Sequence, residues 1–256
     1  MIPAYNEERR LPATLDAILS YLRRKEFSNT EILVVNDGSV DGTADLVRER
    51  SKGLDIPLRL LENPGNRGKG YSVRCGMREA TGEWVLFTDA DLSAPIEECD
   101  KLLKRAVEGR ADVAIGSRAL DRSLIGARQP ALREYSGRFF NLIMRFMTGL
   151  PYADTQCGLK LFHCAAARRI FALQQLDGFS FDVEDLVIAE TLGLKVIEVP
   201  VRWNNAAGTK VNTIQGLKAF SDLLKIRGYA IRGLYRSTQE GTVPQDGNAR
   251  KTGTHT

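Results

Sequence analysis

Four short apolar runs, Glu31 to Asn36, Leu58 to Leu61, Trp84 to Asp89 and Asp112 to Gly116, each give way to a polar loop and then to a segment of helical periodicity. Within the runs apolar residues follow one another with little alternation, so both faces of the strands they form must be covered. Strands of that kind belong to parallel sheets with helices on both sides. Leu11, Leu15, Ile18, Leu19 and Leu22 mark one helical stripe, and Thr43 to Arg50, Gly70 to Ala80 and Glu97 to Val107 fit further helices. The pattern predicts a largely parallel α/β sheet, in one large domain or two small ones, its polar loops gathered at one edge, where open α/β sheets bind ligands. A chain of 256 residues, 43% of them hydrophobic, supplies enough apolar surface for such a core.

The ends fit this pattern less well. Met1 to Tyr5 is too short for a full buried strand, which predicts that the natural chain starts a few residues earlier. Arg133 to Thr148 reads as a helix, Tyr152 to Gly158 as a loop, and Lys195 to Val201 as a strand interrupted by Pro200, which suits an edge strand or its end. Phe139 to Met147 is apolar apart from Asn141 and Arg145, which suits a core helix or a membrane-surface element. Residues 212–236 read as an amphipathic helix, with Ile214, Leu217, Phe220, Leu224, Ile231 and Leu234 set against Lys218, Lys225 and Arg232. Residues 237–256 lack a core-forming pattern and are expected to be a disordered tail.

The net charge of +4 is unevenly spread: residues 118–145 hold six arginines against Asp121 and Glu134, and residues 202–256 hold nine basic groups against three acidic. Positive charge in the second half points to an anionic substrate or an anionic membrane surface. A nucleic-acid partner is not expected, because no helix-turn-helix or RNA-binding signature accompanies the charge. Cys75, Cys99, Cys157 and Cys164 show no zinc spacing. No uncharged apolar run approaches the about 18 residues a span needs, and no signal-peptide pattern opens the chain, so the protein is expected to face the cytoplasm.

Asp89 and Asp91 stand where the strand Trp84 to Phe87 runs out, and alternation sends both carboxylates to one side. Two such oxygen donors suit a hard divalent cation, Mg2+ or Mn2+, that takes its other ligands from water and a diphosphate. The pair alone fits a helix cap as well. Asn36-Asp37-Gly38-Ser39 follows a second apolar run and places Asp37 on the same edge, where it can accept from a base or ribose. Asn63 to Gly70 is a glycine-rich basic loop ahead of a helix, suited to an anion. It is not a Walker A loop, since Asn63 stands for the first glycine and Gly70 for the metal-binding hydroxyl residue; the dinucleotide pattern is incomplete too.

Pro3-Ala4-Tyr5-Asn6-Glu7, Asn36-Asp37-Gly38-Ser39, Gly65 to Gly70 and Thr88-Asp89-Ala90-Asp91, in this order and spacing, resemble the family 2 glycosyltransferases with the GT-A fold, which implies a single Rossmann-like α/β domain, with a mostly parallel sheet flanked by helices, over residues 1–211. Gly116-Ser117-Arg118, Thr155 to Lys160, Phe181-Asp182-Val183-Glu184 and Val201 to Asn204 look like the polyprenyl-phosphate branch, and within it like the dolichyl-phosphate β-glucosyltransferases. The resemblance implies that Pro3, Ala4, Tyr5, Glu7, Asp37, Gly38, Ser39, Lys69, Gly70 and Ala90 surround the nucleotide, with Asp89 serving ribose and metal. It implies Asp91, with Ser93, as metal-binding, and Arg118, Arg133 and Lys160 as phosphate contacts. Asp154, Gln156, Asp182 and Glu184 follow as candidates for sugar binding or acid/base support.

The implied reaction is inverting transfer of glucose from UDP-glucose to dolichyl or polyprenyl phosphate by a protein peripheral to the cytoplasmic face of a membrane. Mannosyl transfer from GDP-mannose to the same lipid is the nearest rival, and a non-catalytic nucleotide-sugar or lipid-phosphate binding module is the alternative of another class. Two departures stand out: relatives often carry an N-terminal membrane anchor, and Asp185 occupies a position that is usually apolar.

Overall fold

The computed structural model describes residues 1–25, 27–126, 144–204 and 213–236. Three strands, β1 (Ile2–Ala4), β2 (Ile32–Asn36) and β3 (Leu58–Glu62), form a parallel sheet in the order β1-β2-β3. Four more, β4 (Trp84–Thr88), β5 (Val113–Ser117), β6 (Leu159–His163) and β7 (Val196–Pro200), form a second sheet in the order β4-β6-β5-β7. Met1 links the two, since its amino group donates to Leu86 O at 2.7 Å and its carbonyl accepts from the Thr88 amide at 3.1 Å. Every residue of β2 and of β5 is buried, as their unbroken apolar sequence requires.

Seven helices are described. On one side of the sheets α3 (Lys69–Glu79), α5 (Cys164–Leu173), α6 (Phe181–Thr191) and α7 (Thr213–Ile231) contribute Val73, Met77, Ile170, Phe171, Leu186, Ile188, Leu223 and Ile226 to a core with Phe87 and Ile115. On the other side α1 (Leu11–Arg23) and α2 (Thr43–Arg50) bury Leu11, Leu15 and Val47 against Ile32 and Val34. There α4 (Glu98–Gly109) lays Leu102 and Ala106 on Leu159, Leu161 and Val199. Adjacent residues of β4, β5 and β6 thus serve opposite cores, as the pleat demands.

The strands and helices read from the first half lie where the sequence puts them. Two features differ. Strand β6 runs antiparallel to both β4 and β5, inside a sheet whose β5 and β7 are parallel; its Leu-Lys-Leu-Phe-His sequence carries a cation at its centre and was not read as a strand. On α7 the residues that dock are other than the apolar set read from the sequence: Phe220, Leu224 and Ile231 are 40%, 62% and 76% exposed, Leu234 beyond the helix is 42% exposed, and the side chains of Ile214 and Leu217 lie outside the described residues. Leu223 and Ile226 pack instead, with Tyr229 and Ala230 beside them. The helix has two apolar faces, and on the one that docks Asp222 accepts from Ser180 Oγ at 3.2 Å beside the buried Leu223 and Ile226.

Arg133, residues 139–143 of the apolar stretch, and the tail 237–256 lie outside the described residues. Of that stretch, residues 144–148 are helical, with Met144 buried and Phe146 88% exposed.

Candidate active site

The C-terminal ends of β1, β2 and β3 share one edge, as do those of β4 and β5 beside the start of β6. At the end of β2, Asp37 is buried and fully engaged. Its Oδ1 accepts from Asn63 Nδ2 at 2.8 Å and the Arg67 amide at 2.9 Å, and its Oδ2 from the Gly68 amide at 2.8 Å. The carboxylate expected to meet a base or ribose therefore holds the glycine-rich loop, and two of the amides expected to cradle an anion are committed to it. Gly38 follows at φ +68, where a Cβ would stand 2.4 Å from the Gly65 carbonyl carbon, so the two loops touch through backbone alone.

Around them, Asn36 Oδ1 accepts from the Ser39 amide at 3.1 Å, Ser39 Oγ from the Asn6 amide at 2.9 Å, and Thr43 Oγ1 from the Glu7 amide at 2.9 Å. Pro3 and Ala4 enter as strand backbone, Tyr5 is exposed, Glu7 pairs with Arg10 at 2.7 Å, and Gly70 is packed beneath Leu176 and Gly178.

At the end of β4, Asp89 Oδ1 pairs with Lys69 Nζ at 2.7 Å. Burial opposes the ammonium charge, but Asp89, Asp182 and Asp91 together hold the Lys69 pKa above its ordinary value. The rings of Phe87, Phe181 and Phe179 stand 5.4, 5.9 and 6.0 Å from that nitrogen. Ala90 O accepts from Thr14 Oγ1 at 2.6 Å, and Asp91 Oδ1 accepts from the Ser93 amide at 3.0 Å. Ser93 is buried and meets Asp91 through its backbone.

Asp89 and Asp91 are the carboxylates available to a divalent cation here, and no group of three or more His, Cys, Asp or Glu residues is gathered for a metal among the described residues. A two-carboxylate donor set fits a hard cation completed by water and phosphate oxygens.

Beyond β5, Arg118 and Asp154 form a bidentate pair, Nε to Oδ2 at 2.7 Å and Nη2 to Oδ1 at 2.8 Å, and the Arg118 amide adds 2.9 Å to Oδ2. The guanidinium lies 4.8 Å from the Trp203 ring centroid. Burial pushes the Asp154 pKa up, yet Arg118 holds it below the ordinary carboxylate value. Gln156 is exposed in the same loop, and its amide donates to Asp154 Oδ1 at 3.3 Å.

Lys160 is buried, pairs with Asp182 at the start of α6, and donates to Cys157 O at 3.0 Å. Burial raises the Asp182 pKa against the pull of Lys160 and Lys69. Glu184 is occupied by the fold: it accepts from the amides of Gln175 at 3.0 Å and Leu176 at 2.7 Å and from Tyr235 Oη at 2.7 Å. Next to it Asp185 is buried with neither carboxyl oxygen hydrogen-bonded, and burial beside Glu184 and Asp182 raises its pKa well above the ordinary value.

The structure thus brings Lys69, Asp89, Lys160 and Asp182 into one electrostatic cluster, with Asp91 acting on Lys69 and Arg118 acting on Asp182. Two residues with clear places here were given no role from sequence. Gly158 lets Asp89 approach, since a Cβ there would stand 2.0 Å from Asp89 Oδ2. Trp203, two residues beyond the buried Val201, floors Arg118.

Known proteins of similar sequence and shape fit this arrangement. Over 253 residues the chain is 36% identical to a dolichyl-phosphate beta-glucosyltransferase of Trichomonas vaginalis, covering 95% of this chain and 74% of that one. It is 41% identical over 222 residues to the Drosophila melanogaster dolichyl-phosphate beta-glucosyltransferase, covering 82% and 68%. Among solved structures, glucosyl-3-phosphoglycerate synthase from Mycobacterium tuberculosis with Mn2+, UDP-glucose and phosphoglyceric acid superposes at a TM-score of 0.63 and 17% identity, over 89% of this chain and 78% of that one. Mannosyl-3-phosphoglycerate synthase from Rubrobacter xylanophilus does so at 0.65 and 15%, over 95% and 77%. The fold is that of the GT-A glycosyltransferases. Residues 1–171 match the pattern of Glycosyl transferase family 2, and with relatives of this identity over most of its length the chain belongs to that family of glycosyltransferases.

Proposed function

We propose that this glycosyltransferase moves glucose, with inversion, from UDP-glucose to dolichyl or a related polyprenyl phosphate, giving a β-linked glucosyl phospholipid and UDP. The observation that carries the reading is the alternation of Lys69–Asp89, Arg118–Asp154 and Lys160–Asp182 pairs around one site, the arrangement needed where two phosphorylated reactants must meet. The names of the relatives supply the acceptor and the sugar.

Asp89 and Asp91 would hold Mg2+ or Mn2+, which when bound supplies positive charge to the departing diphosphate. Lys69 exchanges its bond to Asp89 for the donor, while the loop held by Asp37 and the ends of β1 and β2 wall the nucleotide. Arg118, with Arg133 from outside the described residues, binds the acceptor phosphate. Its second pKa lies near 6, so the attacking oxygen is already ionised and needs little help from a general base. Lys160, buried beneath the site, pairs with Asp182 and offsets part of the burial of its carboxylate.

The acceptor lies in a bilayer, and we infer that the protein rests on its cytoplasmic face. The outward stripe of Phe220, Leu224 and Ile231, flanked by exposed Lys225, Arg227 and Arg232, suits a helix lying in an anionic surface. No helix among the described residues is long and apolar enough to cross a membrane.

The test offers purified protein radiolabelled UDP-glucose, UDP-galactose or GDP-mannose with polyprenyl phosphate and magnesium, and counts label in the organic phase. Label from UDP-glucose alone, in an acid-labile β-linked product, is expected. Transfer from GDP-mannose in preference, or from none of the three, overturns the reading.

A further inference from the structure

Strand β7 carries one carboxylate, Glu198, and spends it on the backbone of the loop that carries Asp154. Its Oε2 accepts from the Ala153 amide at 2.9 Å and its Oε1 from the Asp154 amide at 2.7 Å. In the β5–β7 register Glu198 stands opposite Ile115, and Ser117, which precedes Arg118, stands opposite Pro200. The two partners of the Arg118–Asp154 pair are thus delivered by neighbouring strands: β5 presents the arginine directly, and β7 presents the aspartate through Glu198.

Asp154 is 5% exposed, and both its oxygens are aimed at Arg118, whose guanidinium is held in plane by the carboxylate and from its face by Trp203. Trp203 is itself fixed, its amide donating to Leu124 O at 3.1 Å and its carbonyl accepting from the Gly126 amide at 3.0 Å. Arg118 follows directly on β5 and Trp203 is tied by an isolated bridge to Ile125, whereas the loop carrying Asp154 is held by Glu198 through two consecutive amides.

We propose that Glu198 is a positioning residue for Arg118, acting through the amides of residues 153 and 154 to set the Asp154 carboxylate against the guanidinium. Each of the two amides has its own carboxylate oxygen here, and glutamine in the same pose keeps one acceptor and turns its NH2 toward the other N–H. The proposal rests on the functional reading above only for the role given to Arg118.

The test uses Glu198→Gln, Asp154→Asn and the double variant, with Glu190→Gln, whose carboxylate accepts from Tyr152 in the same loop, as the control. In kinetics, Glu198→Gln is expected to lower kcat/KM for polyprenyl phosphate at least tenfold with the UDP-glucose KM within twofold. The double variant is expected to be no worse than Asp154→Asn alone, the non-additivity of groups acting in series. A second readout needs no turnover: in a Trp84→Phe background Trp203 is the only tryptophan, and loosening Arg118 uncovers its ring. Acrylamide quenching is expected to rise by about the same factor in Glu198→Gln and Asp154→Asn and to stay unchanged in Glu190→Gln. Glu198→Asp, too short to reach both amides, gives the same result should the glutamine variant fold poorly. Unchanged quenching in Glu198→Gln alongside a rise in Asp154→Asn, or multiplicative kinetic losses in the double variant, overturns the proposal. An inactive wild type overturns the functional reading and leaves the quenching comparison to decide on Glu198.

Discussion

Gly158→Ala separates the geometry of the site from the stability of the fold. A Cβ at this position would lie 2.0 Å from Asp89 Oδ2 and 2.6 Å from Asp89 Cγ. Ordinary contact begins near 3.4 Å, so the carboxylate has to withdraw by about 1.4 Å. That is enough to break its 2.7 Å pair with Lys69. The atoms that must move are the end of a partly exposed side chain, and Gly158 sits at ordinary φ, so the fold gives way cheaply: stability should change by less than about 1 kcal/mol. Activity should not be spared, because a misplacement of about 1 Å at a reacting centre costs about a hundredfold. The assay is the initial rate of organic-phase glucosyl label beside a thermal melt, with Gly38→Ala for contrast. There φ is +68 and the Cβ meets Gly65 backbone at 2.4 Å, so that variant should lose stability as well as activity. A Gly158→Ala protein within threefold of wild-type kcat/KM at unchanged melting temperature would refute the claim that the position of Asp89 matters; a variant that unfolds would refute the claim that its carboxylate is the part that yields.

The other expected outcomes touch separate parts of the molecule. Asp91→Asn should cut transfer at saturating magnesium at least a hundredfold with an unchanged circular dichroism spectrum, since it removes a cation ligand from a loop; activity within twofold removes Asp91 from the site. Lys160→Met leaves the buried Asp182 carboxylate without its cation, so denaturant unfolding should show a loss of about 3 to 5 kcal/mol, and Lys160→Met with Asp182→Leu should recover much of it. Asp185 has a raised folded pKa, so its contribution to stability is complete below the ordinary aspartate value and is lost as pH rises through the folded one; Asp185→Asn should therefore gain more stability at pH 8 than at pH 5, by denaturant midpoint. Leu224→Ser with Ile231→Ser should abolish co-sedimentation with anionic vesicles, each buried apolar side chain being worth about 1.5 to 3 kcal/mol, whereas Lys225→Gln, Arg227→Gln and Arg232→Gln together should leave weaker binding that responds much less to salt.

What the sequence made legible follows from which interactions are local. Strands β2 and β5 show in sequence because burial on both faces forces an unbroken apolar run, and their ends show because a buried strand must leave the core through polar turn residues. That is why Asp37, Asp89 and Asp91 can be put at strand ends from the sequence, whereas Arg118 enters through the resemblance alone. What the side chains do there is a different matter, set by partners distant in sequence. Asp37 could be put at the edge, but not seen to be occupied by Asn63 and the amides of the loop that follows β3.

Lysine at the centre of β6 makes the same point with opposite sign. A cation inside a five-residue strand argues against burial until Asp182, on α6, is there to neutralise it, and periodicity cannot report a partner 22 residues away. On α7 the limit is of another kind: the sequence offers two apolar faces, and the one that docks carries Leu223 and Ile226, with Asp222 accepting from Ser180 Oγ. The residues left outside, Phe220, Leu224 and Ile231, then become surface with no core to serve. Transfer to a lipid phosphate, as proposed, gives such a surface a use, to which the strands, needed by any α/β domain of this layout, do not point.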